Sequence, residues 1–560
     1  MAFRVSLVAA ALVLSIGAVR SQELGIISFP TSGSAPAQAH FINGVRLLHG
    51  LEYDKARKAF LDAEKAEPGF AMAYWGEALT LNHPISPESS PDLAKAALGR
   101  LAPTAAGRLA KAPTAKEKDW LGAVEKLIGA GDRHARDVAY ADAMKRLADK
   151  YPDDVEVKVF YASALLGTGD SAGKAKAASV LDSVLASAPA HPGALLYALR
   201  ANDDASHLVA ATRLADAYAA IEGASAAGLH FASRPYLGAG RWDEATAVNE
   251  KSVKLNPSNM DARVGLVYSY TQQGRIEAAR DMVSQIEAAA RESGSRESRA
   301  DLAMARAAFL VESRKWIEAK APVDPTGLSR DAIAADLFAI GFAGARSGNR
   351  AQANGAMQRL AALMQDAPEN LAPVRTAPTG ARPGVAPIAP GPKAVPQPGI
   401  SPIKPDPPPT SAPVATAGGA GDSRVPQVMA QQLEAAILFA EGRRDEGVVL
   451  ARQAAVVESL LPFEFGPPNP VKPVNEQVGE MLMDLRRPKE AMEAFQMSLK
   501  RTPKRALSLL GLARAATAAR DPAIALAAYG ELKDVWKSAD ATLPELKEVV
   551  SALVAKPSSR

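Results

Sequence analysis

The sequence predicts an all-α protein built as a solenoid of helical hairpins. Alanine is very frequent and aromatic residues make up only 5% of the chain, a composition that favours helices because alanine loses no side-chain entropy in them. No segment shows the alternating hydrophobicity of strands or the rhythm of βαβ units. A pattern with a period of about 34 residues runs through the chain, as expected for stacked hairpins.

The repeat pattern is clearest in two segments that lie far apart in the sequence. The first contains, in order, Gly44, Ala56, Phe60, Ala63 and Pro68. The second keeps the same order of residue types with Gly479, Ala491, Phe495, Ser498 and Pro503. Spacings of four and three place the alanine, the phenylalanine and the next small residue on one helical face.

The small residues of each unit allow two antiparallel helices to approach closely, and the phenylalanine fills the space between them. We therefore predict that Phe60 and Phe495 are buried wedges. A third copy, with Ala245, Asn249, Ser252 and Pro257, keeps the spacing but carries asparagine in place of the wedge.

These units resemble the tetratricopeptide repeat, a helix–turn–helix of about 34 residues. The chain holds roughly nine or ten such units, several of them degenerate. A single unit cannot bury its apolar face, so the resemblance implies stacked units, a superhelix and a concave surface formed largely by the first helix of each unit.

The strongest change in composition divides the chain into two arrays. Residues 371–420 hold 14 of the 41 prolines, and proline interrupts helices because it lacks the backbone donor. We predict an N-terminal array over 35–365, a flexible Pro/Gly-rich linker over 366–425 and a C-terminal array over 426–555. We predict that the linker uncouples the two arrays, so that each melts separately. The alternative is that the arrays pack together and the linker is a strap across one continuous solenoid.

Residues 1–21 have the pattern of a secretory signal peptide. Arg4 precedes an apolar run from Val5 to Val19, and Ser21 suits cleavage before Gln22. The alternative is an uncleaved anchor, but a run of about 15 residues is shorter than the roughly 20 that a spanning helix needs. We therefore expect an exported protein, periplasmic or extracellular, without a stable membrane span after cleavage.

Composition also excludes several classes of function. The chain has no cysteine, which excludes disulfides, thiol nucleophiles and thiolate metal sites. The formal net charge is +4, and no concentrated basic patch points to nucleic acid.

Longer segments resemble a bacterial family of exported or uncharacterised tetratricopeptide repeat proteins. At the front these are HFINGVRLLHGLEYDKARKAF and FAMAYWGEALTLNHP, and at the back LPFEFGPPNPVKPVNEQVGEMLMDL and ALSLLGLARAA. The resemblance implies the fold but no reaction. Related chains tend to carry histidine-rich motifs in the middle repeats, and this chain keeps His191, His207 and His230 of them.

The histidine remnants raise the question of a metal site. At positions where relatives often have histidine, this chain carries Leu196, Arg200, Ala227 and Arg234. Facing histidines with acids such as Asp203 and Asp204 are metal-ligand types, but too few ligands remain. We therefore predict no metal, no cofactor and no catalytic residue, and expect the seven histidines to be surface or packing residues.

Other candidate residues have structural and functional interpretations. We expect Trp75, Trp242 and Trp316 to pack in the core rather than stack on a ligand. We expect Glu64, Glu67 and Glu77 to form a solvated helix face rather than a catalytic carboxylate set. The segment LPFEFGPPNPVKP, with Phe463 and Phe465, is expected to be an ordered loop held against a neighbouring unit, and the alternative is a binding loop.

The function that these observations favour is an exported, non-enzymatic scaffold that binds a protein or peptide in the concave groove. Two alternatives remain open. One is a helical-repeat metalloprotein or hydrolase with remnants at His191, His207 and His230. The other is a purely structural envelope or assembly component.

Overall fold

A computed structural model describes residues 27–82, 84–85, 90–365, 424–463 and 465–554. Every extended regular element in these ranges is a helix, which confirms the all-α prediction. The predicted signal peptide and all but the last two residues of the predicted linker lie outside the described residues. Within the described ranges, no helix has the length and apolar character that crossing a bilayer requires.

The N-terminal array is a series of antiparallel helices joined by short turns. Its helices are α1 (Ala35–His49), α2 (Tyr53–Ala66), α3 (Ala71–Leu81), α4 (Pro91–Leu101), α5 (Ala105–Lys111), α6 (Ala115–Leu127), α7 (Arg133–Lys150), α8 (Val155–Gly167), α9 (Ser171–Ser187), α10 (Pro192–Ala201), α11 (Leu208–Ala219), α12 (Ala226–Ala239), α13 (Trp242–Leu255), α14 (Met260–Gln272), α15 (Ile276–Ser293), α16 (Arg296–Ser313), α17 (Arg330–Ser347) and α18 (Arg350–Gln365). Short 3-10 helices lie at Ala205–His207 and Trp316–Glu318.

The C-terminal array continues the same design. Its helices are α19 (Arg424–Ala440), α20 (Arg444–Ser459), α21 (Val474–Asp484), α22 (Pro488–Arg501), α23 (Ala506–Ala519), α24 (Pro522–Val535) and α25 (Leu546–Val554).

Local sequence signals explain where many of these helices begin and end. Thr114 accepts a hydrogen bond from the Glu117 amide, and the Glu117 side chain accepts one from the Thr114 amide, which forms a capping box at the start of α6. Pro488 and Pro522 occupy first-turn positions, where the missing N–H costs nothing. Gly240 ends α12 in the left-handed conformation that glycine adopts without strain.

The two predicted wedge residues are buried as expected, and both contact glycines. A Cβ atom built on Gly44 would lie 2.6 Å from the Phe60 ring, and one on Gly479 would lie 2.8 Å from the Phe495 ring. Gly76 and Gly511, on the following first helices, approach the same rings still more closely. Each phenylalanine is therefore clamped between the first helices of two successive units.

The two arrays pack directly against each other. Helix α19 follows α18 as the next layer of the stack, and a Cβ on Gly341 of α17 would touch the Leu433 side chain of α19. Further along, the Trp242 indole donates to the Lys504 carbonyl over 3.1 Å, and the Trp536 indole donates to the Gln272 carbonyl over 3.1 Å. The described parts of the two arrays therefore form one continuous stack, which corrects the prediction that the arrays are uncoupled.

The superhelix is so tightly curled that several first helices are buried all round. Residues 71–80 of α3, 192–199 of α10 and 334–344 of α17 are buried without interruption. Close approach across the curl contributes, because the Ser225 hydroxyl at the start of α12 donates to the Gly50 carbonyl after α1 over 2.8 Å. These three stretches therefore contribute no exposed side chains to a groove formed largely by the first helices.

Candidate functional site

The three histidine remnants do not form a common site. His191 is buried and caps the N-terminus of α10. His207 is exposed at the end of a 3-10 helix, where its Nδ1 lies 2.8 Å from the Asp204 carboxylate. His230 lies on α12, beside the Asn249 amide.

Instead, His191 meets two residues that sequence reasoning did not single out as a site. The Nε2 atom of His191 lies 3.0 Å from Oε1 of Glu156, and the Nε2 atom of His49 lies 2.9 Å from Oε2 of the same carboxylate. Nδ1 of His49 lies 3.1 Å from the Tyr197 hydroxyl. His49, Glu156 and His191 are all buried and belong to α1, α8 and the start of α10.

The charge in this histidine–glutamate cluster lies on the Glu156 carboxylate. Burial opposes ionisation of Glu156, but hydrogen bonds from His191 and His49 outweigh it and lower its pKa to about 2. Burial lowers the pKa of His49, against the opposing effect of Glu156. The cluster therefore holds one buried carboxylate that accepts hydrogen bonds from the Nε2 atoms of two histidines.

Two imidazoles and a carboxylate are also a metal-ligand set. The Ala194 amide, however, donates to Nδ1 of His191 over 3.1 Å, so the proton of the neutral ring is on Nε2. Either ring nitrogen of a histidine can ligate a metal through a free lone pair, but the Nδ1 lone pair of His191 accepts from the Ala194 amide and its Nε2 donates to Glu156. These residues fit a hydrogen-bonded structural cluster and do not fit a metal centre.

Two of the three acidic residues, Glu64 and Glu77, do not lie on a solvated face, which corrects the sequence expectation. Glu67, by contrast, is partly exposed and accepts from the Ser34 amide over 2.6 Å. Glu64 and Glu77 are buried, and both carboxylates bind the Arg100 guanidinium. Burial raises the pKa of Glu64 to about 7, although Arg100 acts in the opposite direction. The residues satisfy each other across α2, α3 and α4, which the spacing in the sequence does not reveal.

The aromatic candidates pack as expected. Trp75 and Trp242 are buried, and the Trp316 ring meets Phe342 edge-on at 5.7 Å. In the loop after α20, Phe465 is buried and would touch a Cβ on Gly238 of α12 at 2.8 Å. The loop is therefore held against the N-terminal array, and the cleft beside it, of about 30 Å³, has room for little more than a water molecule.

Helix α12 reaches the surface along one strip. Apart from the terminal Ala239, only Ala227, His230, Phe231 and Arg234 of this helix are not fully buried. Their spacings of three, four and seven place them on one face. Together with Arg200 at the end of α10, they form what we call the inner strip.

The inner strip is polar and incompletely paired. Arg234 donates to the Asp203 carboxylate over 3.1 Å, but its buried Nε has no hydrogen-bond partner among the described residues. The buried Nδ1 of His230 also has none there. The Arg200 guanidinium lies over the Phe231 ring, 4.9 Å from its centroid.

The end of α12 and the helices that follow it match a known family of repeats. Residues 236–307 match the tetratricopeptide repeat family. The match runs from the end of α12 into α16. Residues 236–307 are therefore similar to tetratricopeptide repeats, a type of helical fold that supports a protein-interaction scaffold in general.

Solved tetratricopeptide-type structures resemble the chain only distantly. Yeast Tom70 is 11% identical, with a TM-score of 0.22, and the match covers 92% of this chain and 87% of that one. The human IFIT1 dimer with m7Gppp-AAAA is 12% identical, with a TM-score of 0.33 over 91% and 92% of the two chains. The P58(IPK) TPR domain is 12% identical, with a TM-score of 0.21 over 87% and 99%. None of the curated proteins matches this chain.

Proposed function

We propose that this protein is an exported, non-enzymatic scaffold that binds a protein or peptide partner on its inner strip. The observation that carries the proposal is the similarity of residues 236–307 to tetratricopeptide repeats, together with a partly exposed face on α12 that lies beside the buried residues 192–199 of α10. A solenoid presents such a face rigidly, so a partner does not have to order it on binding.

The inner strip also has the chemistry of a binding face. It combines an aromatic ring with two guanidinium groups, and these residue types are enriched where proteins bind partners. Phe231 contributes apolar area, while Arg200 and Arg234 contribute donors in a fixed geometry.

Site-directed photo-crosslinking in cells of the native source tests the position of the partner. A benzoylphenylalanine at Phe231 is expected to give a discrete adduct with one partner. The control is the same group at Val209, which is 68% exposed on the neighbouring α11. Equal adducts at both positions, or none at Phe231, would refute the inner strip as the partner site.

The export part of the proposal rests on the pattern of residues 1–21. We expect the protein recovered from the envelope or the medium to begin at or next to Gln22. N-terminal sequencing of the purified native protein measures this. Intact Met1 on a cytosolic protein would contradict export but would leave the partner site unaffected.

A further inference from the structure

Arg200 is a largely buried guanidinium without an acidic partner. Its Nη2 donates to the Ile85 carbonyl over 3.1 Å, and no described carboxylate lies within ion-pair distance of it. Loss of hydration lowers its pKa, since Tyr53 and Asp203, which act in the opposite direction, do not compensate. Arginine is rarely buried without a counter-charge, because removing the charge from water is costly.

Other buried arginines of this protein do have acids. Arg505 binds Glu476 and Glu312 at 2.7 and 2.6 Å, and Arg108 binds Glu125 at 2.5 Å. Arg200 differs from these arginines because no described carboxylate forms an ion pair with it.

A second cation lies on the same face and increases the need for an anion. Arg234 is close enough for its charge to lower the pKa of Arg200 further. One nitrogen of Arg234 donates to the Asp203 carboxylate, but the buried Nε of Arg234 has no hydrogen-bond partner among the described residues. His230, one turn earlier on α12, adds a buried Nδ1 that makes no hydrogen bond to a described residue. Burial lowers the pKa of His230, and the charge of Asp261 on α14 acts in the opposite direction.

We propose that Arg200, Arg234 and His230 form a binding site for an oxyanion, a phosphate or carboxylate group, on the inner strip. Guanidinium groups pair with both anions through two parallel N–H···O bonds. An anion here supplies the counter-charge of Arg200 and accepts from the free Nε of Arg234. This inference rests on the proposed function, because it states the chemistry of the partner group that the strip takes.

Titration calorimetry and ³¹P NMR with inorganic phosphate test the site, and calorimetry with a tetraglutamate peptide tests the carboxylate source. Titrations at constant ionic strength are expected to show saturable binding to the full chain. Arg200→Met and Arg234→Met should each weaken it at least tenfold, because each removes one donor group. The matched control is Arg213→Met, an exposed residue of α11 that should leave binding unchanged.

The tighter of the two probes identifies the source of the oxyanion, and either result supports the site. No saturable binding of either probe, or equal loss in all three variants, would overturn the proposal. If both probes fail while the Phe231 adduct persists, only this inference is wrong. If phosphate binds but no adduct forms, the oxyanion site stands and the partner function is wrong.

Discussion

At the scale of single residues, several titratable side chains are buried in the core of the protein. Glu458 at the end of α20 is buried, and burial raises its pKa to about 7 although Arg501 and the Val474 amide act in the opposite direction. The unfolded carboxyl titrates near its ordinary value of 4.5. Between these values the folded state binds more protons, so the contribution of Glu458 to stability is largest at low pH and is lost as the pH rises through 7.

We predict that Glu458→Gln raises the melting temperature at pH 8 and changes it little at pH 5. Glutamine mimics the protonated acid without the cost of a buried charge, which is at most about 3 kcal/mol for a shift of this size. Calorimetry at both pH values measures the difference. The control, Glu531→Gln on the exposed face of α24, should change the melting temperature by the same amount at both pH values. A stability gain larger at pH 5 than at pH 8 would contradict the assignment.

At the scale of the helices, packing depends on a ring held between two glycines. Phe495 of α22 lies between Gly479 of α21 and Gly511 of α23, and a Cβ on Gly511 would occupy the volume of the ring. Asn249 occupies the equivalent position in α13, where its buried amide lies 2.7 Å from a Cβ built on Gly265 and makes no hydrogen bond to a described residue. The α12–α13 unit is therefore more polar inside than its counterparts.

We predict that Phe495→Ala and Gly511→Ala compensate each other. Phe495→Ala alone should cost about 3–5 kcal/mol of unfolding free energy, because it leaves a cavity. Gly511→Ala alone should also destabilise, because its methyl group overlaps the ring. In the double variant the methyl group enters the cavity, so Gly511→Ala should become stabilising.

Urea unfolding of the four proteins in this cycle measures the coupling. Gly530→Ala on α24 is the matched control, because a Cβ there meets nothing within 4 Å. It should stabilise both backgrounds equally through helix propensity. Additive effects of Phe495→Ala and Gly511→Ala would show that the ring does not lie between the two helices.

At the scale of the whole molecule, a buried charge cluster joins the two arrays. Arg505, which directly precedes α23, binds Glu476 of its own array and Glu312 of the N-terminal array. Burial opposes ionisation of Glu476, but Arg505 and Lys472 hold its pKa well below the usual range. Losing one partner of such a cluster leaves a buried charge uncompensated, which typically costs about 3–5 kcal/mol.

We predict that the arrays stay together when the chain between them is cut. A protease site placed within residues 371–420 should be cleaved, and the two fragments should still co-elute in size-exclusion chromatography. Arg505→Met should weaken this association at least tenfold, because Glu312 and Glu476 lose their shared partner. Lys533→Met, an exposed residue of α24, serves as the control.

The same packing predicts one cooperative thermal transition for the intact protein. Contacts such as Trp242–Lys504 and Trp536–Gln272 span more than 260 residues of sequence and must break together. Separate melting of the arrays in scanning calorimetry, or fragments that separate without denaturant, would restore the picture of uncoupled arrays.

The sequence by itself determined the helical repeat and its wedge residues. The sequence signals for these features are the period of about 34 residues, the small residues at the helix contacts and the phenylalanines Phe60 and Phe495. These signals are local because each hairpin packs mainly on its immediate neighbours. Capping residues such as Thr114 and Pro488 are local for the same reason. The burial of Trp75 and Trp242 in the core could therefore also be predicted.

Only the tertiary structure decided which distant residues meet. His49, Glu156 and His191 come together, the arrays pack against each other, and Arg200 lies next to Arg234, because the rotation from one repeat to the next accumulates into a tight curl. That rotation is small for each repeat and is set by side-chain packing along the entire stack. No spacing within one unit reports it, so the buried first helices and the inner strip could not be predicted from the repeat pattern.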